Sequence, residues 1–233
     1  MAQADPLLLL PGMMCDARLY FPQLQELGRH RALMVAPLTG CDSIEGLARD
    51  LLRFAPARFA LAGLSMGGIV AMEVLRLAPE RVSRLALLDT NPLAESAERV
   101  AQREPQIERV THGGLRQVMR EEMKPNYLTD GPNVGALLDL CMAMAESLGP
   151  QVFATQSRAL ARRRDQCDTL RAVTVPTLIL CGEDDALCPV ERHELMRDLI
   201  PHASLSIIDG AGHLPTLEQP QATTQALAAW LAA

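Results

Sequence analysis

Apolar positions along this chain fall into two rhythms. Leu7 to Leu10, Ala32 to Ala36, Arg58 to Ala62 with the Gly63-Leu64 that follows, Val82 to Leu88, Thr177 to Cys181 and Ser204 to Ile208 are short runs, most of them apolar without alternation. They stop at turn residues or at a polar group, as at Pro11-Gly12, Pro37, Asp89 and Gly182. Continuous apolar runs of this length are expected of strands buried on both faces, the condition of a parallel sheet covered by helices. Between them, Arg18 to Leu27, Ser43 to Leu52, Gly68 to Ala78, Val190 to Ile200 and Gln221 to Leu231 carry apolar residues at helical spacing, with Ser43 placed to cap its helix. Strands alternating with helices predict an α/β fold: a mostly parallel, doubly wound sheet, here of six strands.

The alternation stops between about Pro92 and Ala172. That segment shows helical patterns, among them Gly114 to Met123 and Val134 to Leu148, interrupted by Pro105, Pro125, Pro132 and Pro150, and no strand pattern. The expected organisation is a core of residues 1–91 and 173–233 with a helical cap, 92–172, inserted over the carboxyl ends of the strands, where ligands bind in such sheets. Within the cap, Arg158 and Arg162-Arg163-Arg164 form a basic cluster. A cluster of this kind reads first as a solvated helix face, and second as a dock for an acidic partner.

Composition narrows the picture a little. At 233 residues with 48% hydrophobic and 21% charged positions, the chain is an ordinary globular one, long enough to bury roughly 70% of its unfolded surface. A net charge of -6 supplies no basic face for nucleic acid. No apolar run reaches the length of a membrane span, and Asp5-Pro6 before the first strand argues against a signal segment, so a cytoplasmic protein is expected. Six cysteines, at 15, 41, 141, 167, 181 and 188, lack metal-ligand spacing and read as thiols packed like small hydrophobes. Neither a metal nor an organic cofactor is implied.

The chemistry centres on Gly63-Leu64-Ser65-Met66-Gly67, set between a predicted strand and a predicted helix. Strand, sharp turn and helix form the context in which a G-x-S-x-G serine is lifted out of the sheet as a nucleophile, its glycines leaving room for the crowded turn. A serine hydroxyl needs a base to take its proton, and the base needs an acid to hold it. Of five histidines, His213 follows Gly210-Ala211-Gly212 just beyond the last strand, where a glycine-flanked loop can bring an imidazole to another strand end. His30, His193 and His202 sit at helix ends or turns and His112 in the cap, positions expected at the surface. Asp89, or one of Glu183, Asp184 and Asp185, could supply the acid; chain order favours neither location. Oxyanion donors are expected from the N–H of Met66 and from Met13, where Gly12 lets the loop after the first strand turn inward. Met13, Met14 and Met66 are candidates for the pocket wall or the core.

Gly63 to Gly68, Gly182-Glu183-Asp184-Asp185-Ala186-Leu187-Cys188-Pro189 and Gly210 to Pro220 together resemble the α/β-hydrolase fold family. The resemblance spans nearly the whole chain, with three motifs in the family's order. It implies Asp185 as the acid, with Asp89 and Asp184 as the alternatives, and a six-stranded core lacking two strands often found at the family's N-terminus. Many members carry His-Gly before the oxyanion loop; here Leu10-Pro11-Gly12 stands in its place. The resemblance implies a serine hydrolase that cleaves small or medium carboxylic esters through an acyl-enzyme, acting on a small-molecule ester as a monomer or homodimer. C–C bond hydrolysis or lactone hydrolysis on the same three residues is the alternative, and Arg158 or Arg162 could then meet an acidic substrate. A looser likeness to biotin-precursor methylesterases adds an ester borne on an acidic carrier protein. A family member that binds a ligand without catalysis is argued against by the intact Ser, His and Asp.

Overall fold

The computed structural model describes residues 5–123 and 126–233. In chain order, β1 (Leu7–Leu10), α1 (Phe21–Leu27), β2 (Leu33–Val35), α2 (Ile44–Phe54), β3 (Phe59–Leu64), α3 (Met66–Leu77) and β4 (Val82–Leu88) come first. There follow α4 (Ala97–Arg109), α5 (Leu115–Val118), α6 (Val134–Ala161) and α7 (Cys167–Arg171), all helical. The sheet resumes with β5 (Thr177–Gly182), α8 (Val190–Leu199) and β6 (Ser204–Ile208), and the chain closes with α9 (Pro215–Glu218) and α10 (Pro220–Ala232).

The six strands run in the order β2-β1-β3-β4-β5-β6, every pair parallel. Their burial explains their composition. All residues of β1, β3 and β5 are buried, whereas β2 and β6, at the two edges, are only partly covered. Each leucine removed from water on these central strands contributes roughly 1.5–3 kcal/mol, so an unalternating apolar run is stable only where both faces are covered. Helices α2 and α3 cover one face; α1 and α10 cover the other, with Trp230 donating its indole N–H to the Pro176 carbonyl at 3.2 Å. Ser43 caps α2 as expected, its Oγ accepting from the Gly46 N–H at 3.1 Å.

Between β4 and β5 the expected helices are present, with corrections. Pro105 does not interrupt α4 but lies inside it. The pattern over Gly114 to Met123 is not one helix: a wide turn at 110–114, in which Gly113 takes φ 95°, precedes the single turn of α5, and another wide turn follows. Val134 to Leu148 ends where expected, because Gly149 (φ 79°) breaks the helical path of α6 and Pro150 restarts it, proline being suited to a first helical turn. Pro125 lies outside the described residues. Ile107, Val110, Met119 and Phe153 from this segment pack into the same apolar cluster as α2 and α3, so these helices are seated on the sheet's own core. No helix among the described residues is long and apolar enough to cross a membrane.

Candidate active site

The carboxyl ends of β1, β3, β4, β5 and β6 converge on one cavity of about 460 Å³, bounded from the other side by α4, α6 and the turns between them. Ser65 stands between β3 and α3, at φ 55° and ψ -117°, a backbone that L-residues rarely adopt and that costs roughly 1–3 kcal/mol. The surroundings hold it there. The Ser65 N–H donates to the Leu88 carbonyl at 2.9 Å, and the Ser65 carbonyl accepts the Thr90 hydroxyl at 2.8 Å. A side chain at Gly67 would be driven into the carbonyls of Leu10 and Pro11, and one at Gly63 into the backbone of Gly67 and Gly68. Only glycine lets β1, β3 and α3 approach this closely.

His213 comes from the loop after β6 and reaches Ser65, its Nε2 lying 2.9 Å from Oγ. Its Nδ1 lies 2.8 Å from Oδ2 of Asp185, which is itself in the loop after β5. A carboxylate only accepts, so Nδ1 carries the hydrogen and Nε2 is left to accept from the serine hydroxyl. Both side chains are almost wholly buried. Burial opposes ionisation of Asp185, but the facing His213 and the N–H groups of Leu187 and Cys188, donating to Oδ1 at 2.8 and 3.0 Å, outweigh it and hold the carboxyl below its usual range.

Of the acids left open by chain order, Asp185 is the one bonded to His213. Asp184 is exposed, and Asp89, though buried, accepts from the Gly182 N–H through Oδ1 at 2.9 Å. Burial, together with the neighbouring charge of Asp185, pushes the Asp89 carboxyl well above its usual range. Met66 is the first residue of α3, where an N–H has no partner within the helix. Met13 lines the cavity with it, and among the described residues its N–H has no hydrogen-bond partner. Met14 is a core residue, fully buried, and does not line the cavity.

Three supports carry no motif. Gln156 of α6, buried, accepts from the Met14 N–H through Oε1 and donates to the Leu38 carbonyl through Nε2, both at 2.9 Å, so it braces the loop after β1 where the family's His is missing. Glu218 accepts from the N–H groups of Gly212 and Leu214, on either side of His213, at 3.1 and 3.0 Å, and from Thr129 at 2.7 Å. The position five residues beyond the histidine, at the end of α9, was its only signal. His193 corrects an expectation of surface exposure. It is fully buried, its Nε2 accepting from the Thr90 N–H at 3.1 Å, one residue link from Ser65, and burial lowers its pKa to about 4, so the ring is neutral. His30, His112 and His202 are exposed as expected.

The basic cluster divides. Arg158 and Arg162, the arginines expected to meet an acidic substrate, do not line the cavity; they pair with Glu104 at 3.1 Å and Asp42 at 3.3 Å on the surface. Arg163 turns inward, and Arg103 of α4 joins it at the cavity wall. Asp185, Cys188 and His213 could offer ligand atoms to a metal within 4.8 Å of one another. Ligation there would take His213 from Ser65 or from Asp185, so the set suits proton transfer along the three side chains better than ion binding.

Residues 7–226 match the Alpha/beta hydrolase family. The chain belongs to that family. Among its relatives, the biotin biosynthesis bifunctional protein BioHC of Teredinibacter turnerae is 28% identical over 85% of this chain, which spans 39% of that protein's length. The pimeloyl-[acyl-carrier protein] methyl ester esterase of Salmonella newport is 25% identical, with 95% of this chain and 91% of that one covered. A thermophilic esterase from Thermogutta terrifontis, solved with malate bound, superposes with a TM-score of 0.90 at 32% identity, over 99% of this chain and 90% of that one. This α/β hydrolase therefore shares its fold with an enzyme named as an esterase.

Proposed function

We propose that this α/β hydrolase is a serine hydrolase that cleaves small or medium carboxylic esters through an acyl-enzyme. The observation that carries the reading is the unbroken chain of short hydrogen bonds from Ser65 through His213 to Asp185, 2.9 and 2.8 Å, at the floor of a cavity of about 460 Å³. Ser65 Oγ attacks the ester carbonyl while His213 Nε2 takes its proton, and Asp185 stabilises the imidazolium that results. The tetrahedral oxyanion is received by the N–H groups of Met66 and Met13. His213 then hands the proton to the leaving alkoxide, the acyl-Ser65 ester forms, and a water activated by the same histidine releases the acid. The cavity falls within the size range of small-molecule sites. The esterase names of relatives that cover nearly the whole chain support an ester over a C–C bond.

Hydrolysis of p-nitrophenyl esters from acetate to decanoate by the wild type and by Ser65→Ala tests this. Turnover by the wild type with a loss of about 10⁴-fold or more in the variant is expected. Equal rates in the two would overturn it, and so would failure of a fluorophosphonate to label Ser65.

A second reading concerns how the ester arrives. Relatives named for a pimeloyl-[acyl-carrier protein] methyl ester support an ester borne on an acidic carrier, met by the half-buried Arg158 and the exposed Arg162. Replacing both by Glu should then slow a carrier-bound methyl ester and leave free esters unaffected; unchanged turnover of the carrier-bound ester would end that reading.

A further inference from the structure

We propose that the cavity above Ser65 contains a carboxylate subsite formed by Arg103 and Arg163, and that the preferred substrates are esters that also bear a free carboxylate. This rests on the serine-hydrolase reading and names its substrate class. The two guanidinium side chains are nearly buried, 11% and 9% exposed, and they share a single carboxylate, that of Glu95, whose side chain is 1% exposed. Arg103 Nη2 lies 2.5 Å from Glu95 Oε2, and Arg163 Nη2 lies 3.2 Å from Oε1. Both carboxylate oxygens are therefore engaged, and the three side chains retain one uncompensated positive charge in a desolvated place.

Such an imbalance is unfavourable unless an anion completes it. The hydrogen bonding is incomplete in the same spot. Arg103 Nε is buried with no hydrogen-bond partner among the described residues, and its Nη1 reaches only the Met13 sulfur, at 4.0 Å. Arg163 is better held, its Nε donating to the Leu93 carbonyl at 3.0 Å. Arg99 and Arg192 line the same cavity, and among the described residues neither pairs with a carboxylate. Glu122, the other acidic side chain there, is taken by Arg109 at 2.5 Å.

A planar carboxylate is the anion that a guanidinium with a free edge binds in register. The contact of Arg103 with Met13 puts this subsite beside the loop proposed to receive the oxyanion, and the bound carboxylate is assigned to the acyl part of the ester. The substrates that fit are monoesters of short dicarboxylic acids. In their hydrolysis water adds across the acyl–oxygen bond, giving the dicarboxylate, the free alcohol and a proton, while the distal carboxylate is held unchanged.

The experiment compares monomethyl succinate, glutarate and adipate with the methyl esters of the matching monocarboxylic acids, for the wild type, Arg103→Gln and Arg163→Gln. The wild type should favour the acidic series in kcat/KM by about tenfold or more, and each variant should lower that ratio by about ten- to hundredfold. Glutarate binding, followed by calorimetry on the wild type and on Arg103→Gln, needs neither turnover nor a change of rate. It should weaken in the variant and as salt is raised, and pentanamide should not bind. Equal turnover of the two series, with glutarate binding absent, would overturn the subsite. Glutarate binding through Arg103 in a protein that hydrolyses no ester and leaves Ser65 unlabelled would overturn the hydrolase reading instead and leave the subsite standing.

Discussion

The sheet with its strand-end loops and the helices between β4 and β5 solve different problems. At the strand ends, the three side chains of the site are held by fixed hydrogen bonds: Ser65 by Leu88 and Thr90, Asp185 by Leu187 and Cys188, and the His213 loop by Glu218, with the Tyr127 carbonyl of the helical segment added. Strands paired in register leave these positions little freedom, and three non-glycine residues near the site, Met14, Ser65 and Asp89, are kept at positive φ. The helical segment is built otherwise. Its helices are joined by wide turns and broken at Gly149, and it meets the site with long polar side chains, Arg103 and Arg163 at the cavity and Gln156 behind the loop after β1. The comparison teaches that, on the proposed reading, the chemical steps fall to the rigid half and recognition of the substrate to the half in which side chains do the reaching.

Substitutions can break or sharpen that contrast. The largest loss is expected at Gly67. A methyl group there meets backbone carbonyls that no rotamer change can move, so Gly67→Ala should cost more than about 3 kcal/mol in urea denaturation and abolish turnover of every ester. A variant within about 1 kcal/mol of wild type would show the elbow to be softer than described.

His193 comes next, and its effect depends on pH. An unfolded His binds a proton below about pH 6.5, and the folded one only near pH 4. Between those values the unfolded state binds more protons, so stability rises with pH in that window and is lost as pH falls through it, by roughly 3 kcal/mol at the lower end. Denaturation measured from pH 4 to 7 should show this slope in the wild type and a shallower one in His193→Gln. Parallel curves would mean that the ring is not held neutral by its burial.

The smallest of the three effects lies where the two regions meet. Gln156→Leu strips partners from the buried Met14 N–H and Leu38 carbonyl, which should cost about 2 kcal/mol. Because the first of these braces the loop of Met13, kcat on p-nitrophenyl butyrate should fall about tenfold with little change in KM. An unaltered kcat would detach Gln156 from the chemistry and leave it a purely structural brace.

Much of the rigid half was legible in the chain. Val82 to Leu88 and Ser204 to Ile208 are strands over the expected residues, and Ser65 and His213 meet as their glycine-flanked settings implied. Choosing among the acids took the fold. The loop after β6 is hydrogen-bonded to the end of β5 through Glu183 and Asp184, whereas β4 lies one strand further away, so His213 meets Asp185 while Asp89 is left to the Gly182 N–H. His193 went unread because its sequence neighbours Glu191, Arg192 and Glu194 are charged; only the packing of α8 against β5 turns the ring inward.

What the amino-acid order determines by itself is local: where an apolar run must be covered on both faces, where glycine permits a sharp turn, and which side chains can carry a proton. These depend on residues a few positions apart, and such patterns survive in a linear text. The inward Arg163 among three consecutive arginines, the choice of Asp185, the bracing of Met14 by Gln156, and the union of Arg103 with Glu95 over one cavity were decided only by tertiary structure. Those contacts join residues far apart in the chain, between segments whose mutual angle comes from packing, and no local spacing encodes that angle.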